Sequence, residues 1–114
     1  LYSHYANFDK QQWREAAEYL QANRAEEDIL IVNPSGQIFA LDYYYKAKNI
    51  VGINDIAGLE TIIGKKDSFW FIYSSEQYWD PKGFIKEYLD KNYEIRQSVE
   101  VTGVKIFYYA RKSF

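Results

Sequence analysis

The sequence predicts an α/β fold: a three-layer α/β/α sandwich whose mostly parallel sheet carries a C-terminal antiparallel hairpin. Three observations lead there. Ile29 to Val32 and Phe69 to Tyr73 are unbroken apolar runs of strand length, as expected for strands buried on both faces. Between and around them lie stretches with apolar residues at helical spacing. The chain then ends in two strand-like runs joined by Thr102-Gly103, a hairpin signal. Helix and strand patterns that alternate in this way build a layered α/β domain.

The elements follow in order. Leu1 to Phe8 has no clear period and reads as an extended lead-in. Asp9 with Gln12 three positions on resembles a capping box, and Trp13, Ala16, Ala17 and Leu20 form one stripe, so Gln11 to about Asn23 is a helix. Trp13 anchors that helix on the sheet; the alternative for it is an exposed stacking platform. Arg24 to Asp28 is a charged turn into the first strand, and Glu26, Glu27 and Asp28 read as a solvated surface.

After Val32 two readings compete. Asn33 can cap a helix with Pro34 at its first position and Ile38, Leu41 and Tyr45 along one side. Alternatively Pro34-Ser35-Gly36 turns a hairpin, with Phe39, Leu41, Tyr43 and Tyr45 on one strand face. The helix is preferred, because a tight hairpin is at odds with a buried parallel strand. Asn49 to Ile53 is a second short strand. A helix capped by Asn54 or Asp55 carries Ile56, Leu59, Ile62 and Ile63, and Gly64 closes it.

Ser68 to Tyr73 is the next strand, expected beside Ile29 to Val32. Ser74 to Trp79 is a polar loop, and Asp80-Pro81 starts a helix that buries Phe84, Ile85, Tyr88 and Leu89 and ends with a left-handed Asn92. Tyr93, Ile95, Val99 and Val101 share one strand parity, with Gln97 the exception, before the turn into Val104 to Tyr109. A local strand order of 2-1-3 would open a crevice between Asn33 to Gly36 and Ser74 to Trp79.

Composition narrows the chemistry. The 114 residues suit one domain, and the net charge of -2 with interspersed signs leaves no basic stripe, so nucleic acid is not an expected partner. With no cysteine there is no disulfide, thiolate nucleophile or cysteine zinc site. His4 is the single histidine and falls in the lead-in, which leaves no Ser-His-Asp constellation. No glycine-rich loop or P-loop lysine follows a strand, and no cofactor or metal is expected. No catalytic residue is assigned.

Aromatic residues make up 19% of the chain, and tyrosines and a tryptophan cluster near two strand exits. The candidate ligand-binding residues are therefore Asn33, Ser35, Gly36, Tyr43, Tyr44, Ser75, Tyr78 and Trp79, which would line a groove for a polar ligand. Packing on the sheet edges is the plainer role for these rings. The chain also lacks methionine, and is expected to be a fragment of a larger protein.

Trp13-Arg14-Glu15-Ala16-Ala17-Glu18-Tyr19-Leu20, Asp28 to Val32, Asp42-Tyr43-Tyr44-Tyr45, Phe69 to Tyr73 with Asp80-Pro81, and Gly103-Val104 leading into Phe107-Tyr108-Tyr109 together carry a resemblance. The chain resembles the soluble C-terminal domain of protein mannosyltransferase-like integral-membrane glycosyltransferases, which use polyprenyl-phosphate sugars. The resemblance implies an extracytoplasmic, non-catalytic accessory domain. Its partners would be the transmembrane portion of the same polypeptide and a glycan or protein acceptor. The catalytic motif of that family belongs to the membrane portion and has no counterpart here. A stand-alone flavodoxin-like ligand-binding module and a protein-interaction module are the competing readings.

Overall fold

The computed structural model describes residues 2–33, 35–64, 66–74, 82–101 and 103–112, with side chains from residue 13 onward. The described elements are α1 (Tyr2–Asn23), β1 (Leu30–Asn33), a 3-10 turn (Ser35–Gln37), α2 (Ile38–Asp42), β2 (Ile50–Gly52) and α3 (Ile56–Ile63). They continue with β3 (Ser68–Ser74), α4 (Phe84–Asn92), β4 (Tyr93–Val101) and β5 (Val104–Arg111). The fold is mixed α/β, with a five-stranded sheet in the order β2-β1-β3-β5-β4.

The 2-1-3 order expected from the two buried strands is present. β1 pairs in parallel with both β2 and β3, while β3 with β5 and β5 with β4 are antiparallel. The sheet is thus mixed and not mostly parallel by pairing. The reason is that the C-terminal hairpin contributes its own ladder and a second one against β3. Gly103, at φ 85°, supplies the left-handed residue of the hairpin turn.

Strand alternation divides the core into two clusters. Leu30, Val32, Trp70, Ile72, Val104 and Ile106 pack with Trp13, Ala16, Ala17 and Leu20 of α1 and Leu41 of α2. Ile31, Phe69, Phe71, Tyr73, Phe107 and Tyr109 pack with Leu59 and Ile63 of α3 and Ile85 and Leu89 of α4. Each fully buried large side chain contributes roughly 1.5–3 kcal/mol of transfer free energy. Both strands that read as doubly buried are largely so: all four residues of β1, and six of the seven in β3, are buried, while Ile29, read as the first residue of the run, is half-buried and precedes β1.

Several local expectations are corrected. The lead-in is helical, since α1 begins at Tyr2. Neither proline nor glycine interrupts residues 2–23, so a helix nucleated by the Trp13 stripe can extend backwards past Asp9. Asn33 does not cap α2; it ends β1, and Gln37 precedes the helix without a side-chain cap bond. The stretch after the strand is helical and not a hairpin, yet it lasts only five residues; Tyr43 is its C-cap, still at helical backbone angles (φ -60°, ψ -34°), and Tyr44 and Tyr45 lie beyond it.

Asp55 is the cap of α3, accepting from the Gly58 amide at 2.7 Å. Gly64 follows that helix in a right-handed conformation, φ -54°. Asn92 is likewise not left-handed; α4 passes straight into extended Tyr93, and the Asn92 side chain donates to the Tyr88 carbonyl at 2.8 Å. The left-handed asparagine is Asn49, at φ 58°, whose amide donates to the Glu26 and Glu27 carbonyls at 3.4 Å. Phe84, expected in the buried stripe of α4, is exposed, because α4 starts there and its inward positions are Ile85 and Leu89.

The odd-numbered parity read along β4 is broken by an irregularity between Ile95 and Gln97. Tyr93 and Ile95 follow the face of Tyr109, whereas Gln97, Val99 and Val101 follow Tyr108, Ile106 and Val104. Gln97 therefore lies on the α1 face with Val99 and Val101. It meets Tyr19 of α1, whose hydroxyl donates to Gln97 Oε1 at 3.3 Å.

Candidate functional site

At the carboxyl edge of the sheet, β1 is followed in sequence by α2, which packs on one face, and β3 by α4, which packs on the other. Asn33 ends β1 and is fully buried, with neither its amide nitrogen nor its amide oxygen hydrogen-bonded. Ser74 ends β3, is buried as well, and its hydroxyl has no partner. Buried polar groups are nearly always paired, and an orphan costs about 1–3 kcal/mol. Asn33 and Ser74 thus end adjacent strands with unpaired polar atoms; Arg24 Nε, at the opposite end of the sheet, is unpaired too.

Register places Asn33 in a row that crosses the sheet. Asn33 pairs with Tyr73, Tyr73 with Lys105, and Lys105 with Glu100. These four residues share the face that carries α3 and α4. One step deeper, the corresponding row is Ile31, Phe71, Phe107 and Ser98, apolar except at its outer end. The face therefore changes from apolar to polar at its rim. Ser74 points by alternation to the opposite face, beside Val104.

The proposed ligand residues do not all converge. Ser35 is tied to the loop after β2: its amide donates to Asn54 Oδ1 at 3.0 Å, and Asn54 Nδ2 donates to Ser35 Oγ at 2.9 Å. That reciprocal pair, with Gly52 packed directly under Ser35, pins the exit of β1 to the exit of β2. A Cβ on Gly52 would lie 2.4 Å from Ser35 Cβ, so the glycine is required by close approach. Gly36 has open space around it. Tyr43 is 72% exposed, and half-buried Tyr44 meets its ring edge-on at 4.8 Å. Ser75, Tyr78 and Trp79 lie outside the described residues, as do Pro34 and Asp80-Pro81.

At the opposite edge stands a residue whose importance the sequence did not reveal. Arg24 is buried, and its guanidinium donates to the Tyr45 hydroxyl at 2.8 Å and to the carbonyls of Glu26, Asp28 and Lys48. It also lies 5.9 Å from the centre of the Tyr45 ring. Tyr45 is thus a structural member of the tyrosine cluster. Asp28, read as solvated, is half-buried and accepts the indole N–H of Trp70 at 3.1 Å. The signal was present in the arginine just after the Trp13 helix and in the tyrosine at the end of the cluster, but neither implies the other without the fold.

On the α4 face, Lys86 bonds Asp90 at 2.6 Å and lies 4.5 Å from the Phe107 ring centre. Asp90 also accepts from the Tyr109 hydroxyl at 2.8 Å. Burial, followed by that hydrogen bond and the charge of Asp90, pushes the Tyr109 phenol far above its ordinary value. Among the described residues, no group of three or more histidine, aspartate or glutamate side chains is arranged to hold a metal ion. No described helix is long and apolar enough to cross a membrane. No protein-family model, curated protein or solved structure matches this chain.

Proposed function

We propose that this chain is a non-catalytic accessory domain of a membrane glycosyltransferase that transfers sugar from a polyprenyl-phosphate donor. In this reading it is one domain of α/β/α layering, held on the extracytoplasmic side by the transmembrane portion of the same polypeptide. Catalysis belongs to that membrane portion. The layering is supported by the two core clusters, which draw on alternate strand residues and on different helix pairs.

The observation that carries the reading is the outer side of α2. Phe39 is 82% exposed, and Tyr43, one turn on, is nearly as bare. Side chains four apart on a helix form one patch. Tyr43 belongs to the Asp42 to Tyr45 stretch on which the resemblance rests, so the marker coincides with a surface available for docking. The occupant in this reading is the polypeptide's own membrane portion.

A photo-crosslinking amino acid at Tyr43 in the whole protein tests this. An intramolecular crosslink to a hydrophobic span is expected. A reading frame that encodes no hydrophobic spans beside this domain overturns the proposal. The alternative, a protein-interaction module, is favoured by the same two exposed rings and predicts a crosslink to a separate protein instead.

A further inference from the structure

We infer that the bulge at Arg96 guards the free edge of the sheet: it puts the outward-facing backbone groups of β4 out of step, so that β4 of a second copy cannot pair along it. The edge needs such a device. β4 is the outer strand, nine residues long, without proline or glycine, and no described strand lies beyond it. An exposed edge of that length is a template for another chain. The opposite edge is protected differently, since β2 has only three residues and Ser35 and Ile38 crowd its Gly52.

Register identifies the groups that face outward. The Arg111 amide donates to the Asp67 carbonyl at 2.7 Å, on the β3 side. Backbone groups alternate along a strand, so Lys105, Phe107, Tyr109 and Arg111 point towards β3 and their neighbours towards β4. The β4 residues opposite those four are Glu100, Ser98, Ile95 and Tyr93, whose backbone groups therefore face away from the sheet. The Tyr93 amide is taken by the Leu89 carbonyl at the end of α4. Ser98 and Glu100 are two positions apart, as are Tyr93 and Ile95, but Ile95 and Ser98 are three apart. A regular strand offers its groups at every second residue, so one in step with Ser98 and Glu100 is out of step at Ile95.

Arg96 is the residue that causes the slip. Ile95 pairs with Tyr109 and Gln97 with Tyr108, which leaves Arg96 as the extra residue. Without it the ladder would be regular and every other residue of β4 would keep its present face, so the bulge is not needed to bury Tyr93 or to turn Val99 and Val101 towards α1. Its side chain adds a second obstacle. Arg96 Nε bonds Glu94 Oε1 at 3.0 Å, both side chains are about half exposed, and Glu100 is exposed further along. Charges on an edge strand oppose pairing in the same way as a bulge does.

The test compares the chain with a variant from which Arg96 is deleted, by sedimentation velocity as concentration is raised. The parent should keep the monomer mass. The variant should give a dispersed NMR spectrum and double its mass, with slowed hydrogen exchange at the Ile95, Ser98 and Glu100 amides. Adding Ser98→Pro to the deletion removes one outward donor and should restore the monomer. The inference is overturned if the variant stays monomeric, if the doubled mass survives Ser98→Pro, or if the variant does not fold, which would make Arg96 a requirement of the ladder itself. Hydrogen exchange in the parent is an independent check: the same three amides should exchange freely at every concentration, and protection that grows with concentration would show that the edge already pairs.

Discussion

Trp70 and Asp28, 42 positions apart in sequence, are joined by an indole N–H to carboxylate hydrogen bond of 3.1 Å that spans the entrances of β1 and β3. Trp70 lies at the centre of the α1 face, with Tyr108 4.7 Å away and Tyr19 edge-on at 6.3 Å. Trp70→Phe should cost about 2–4 kcal/mol, from a lost charge-assisted bond and a partial cavity. Asp28→Asn retains an acceptor and should cost under about 1 kcal/mol. Urea unfolding of both variants checks the difference.

Arg24 closes the same end of the molecule. Arg24→Ala strands three carbonyls and the Tyr45 hydroxyl, and should destabilise by about 2–5 kcal/mol, since each buried acceptor left unpaired costs about 1–3 kcal/mol and some regain water. Tyr45→Phe removes one bond and should cost about 1 kcal/mol. Equal effects of the two changes in urea titrations would contradict this assignment.

Gly52 predicts a steric effect. In Gly52→Ala the new methyl would lie 2.4 Å from Ser35 Cβ and 2.9 Å from Ile38 Cδ1. Overpacking of this kind costs about 1–3 kcal/mol, and a thermal melt should show a drop of several degrees. Gly36→Ala, with open space around it, should be close to neutral.

How much of this was legible in the residues depends on range. The apolar runs at Ile29 to Val32 and Phe69 to Tyr73 disclosed two buried neighbouring strands, because burial on both faces leaves a local signature. The bulge at Ile95 to Gln97 disturbed the parity of β4 visibly, but only pairing with Tyr109 and Tyr108 identifies it. Arg24 could not be read as buried, since its stabilising carbonyls come from residues brought together by the turn and by Lys48. At the candidate site, Asn33 was legible as lying where the chain leaves the first strand, but it was read as a helix cap and is instead the strand's buried last residue. Its row partners Tyr73, Lys105 and Glu100 depend on register, which no local pattern supplies.

Tyr109 predicts a pH effect. Its phenol is held neutral in the folded state, by burial first and by Asp90 second, so its folded pKa lies above the unfolded value near 10. Below about pH 10 both states carry the proton and the contribution is constant. Above it the unfolded chain loses the proton first, so this tyrosine makes stability fall by about 1.4 kcal/mol per pH unit. Tyr88, also shifted upward by burial and Glu60, adds in the same direction. Tyr109→Phe should flatten that slope in urea titrations between pH 9.5 and 11, an interval chosen to straddle the ordinary tyrosine range of about 10.

The central claim is that the carboxyl edge keeps unpaired polar groups at the expense of stability. Thermal unfolding of Asn33→Leu against the parent sequence measures this directly. Removing an orphaned amide should recover about 1–3 kcal/mol and raise Tm by several degrees. A lower Tm for Asn33→Leu would show that the amide is satisfied in the free protein, and would contradict the account.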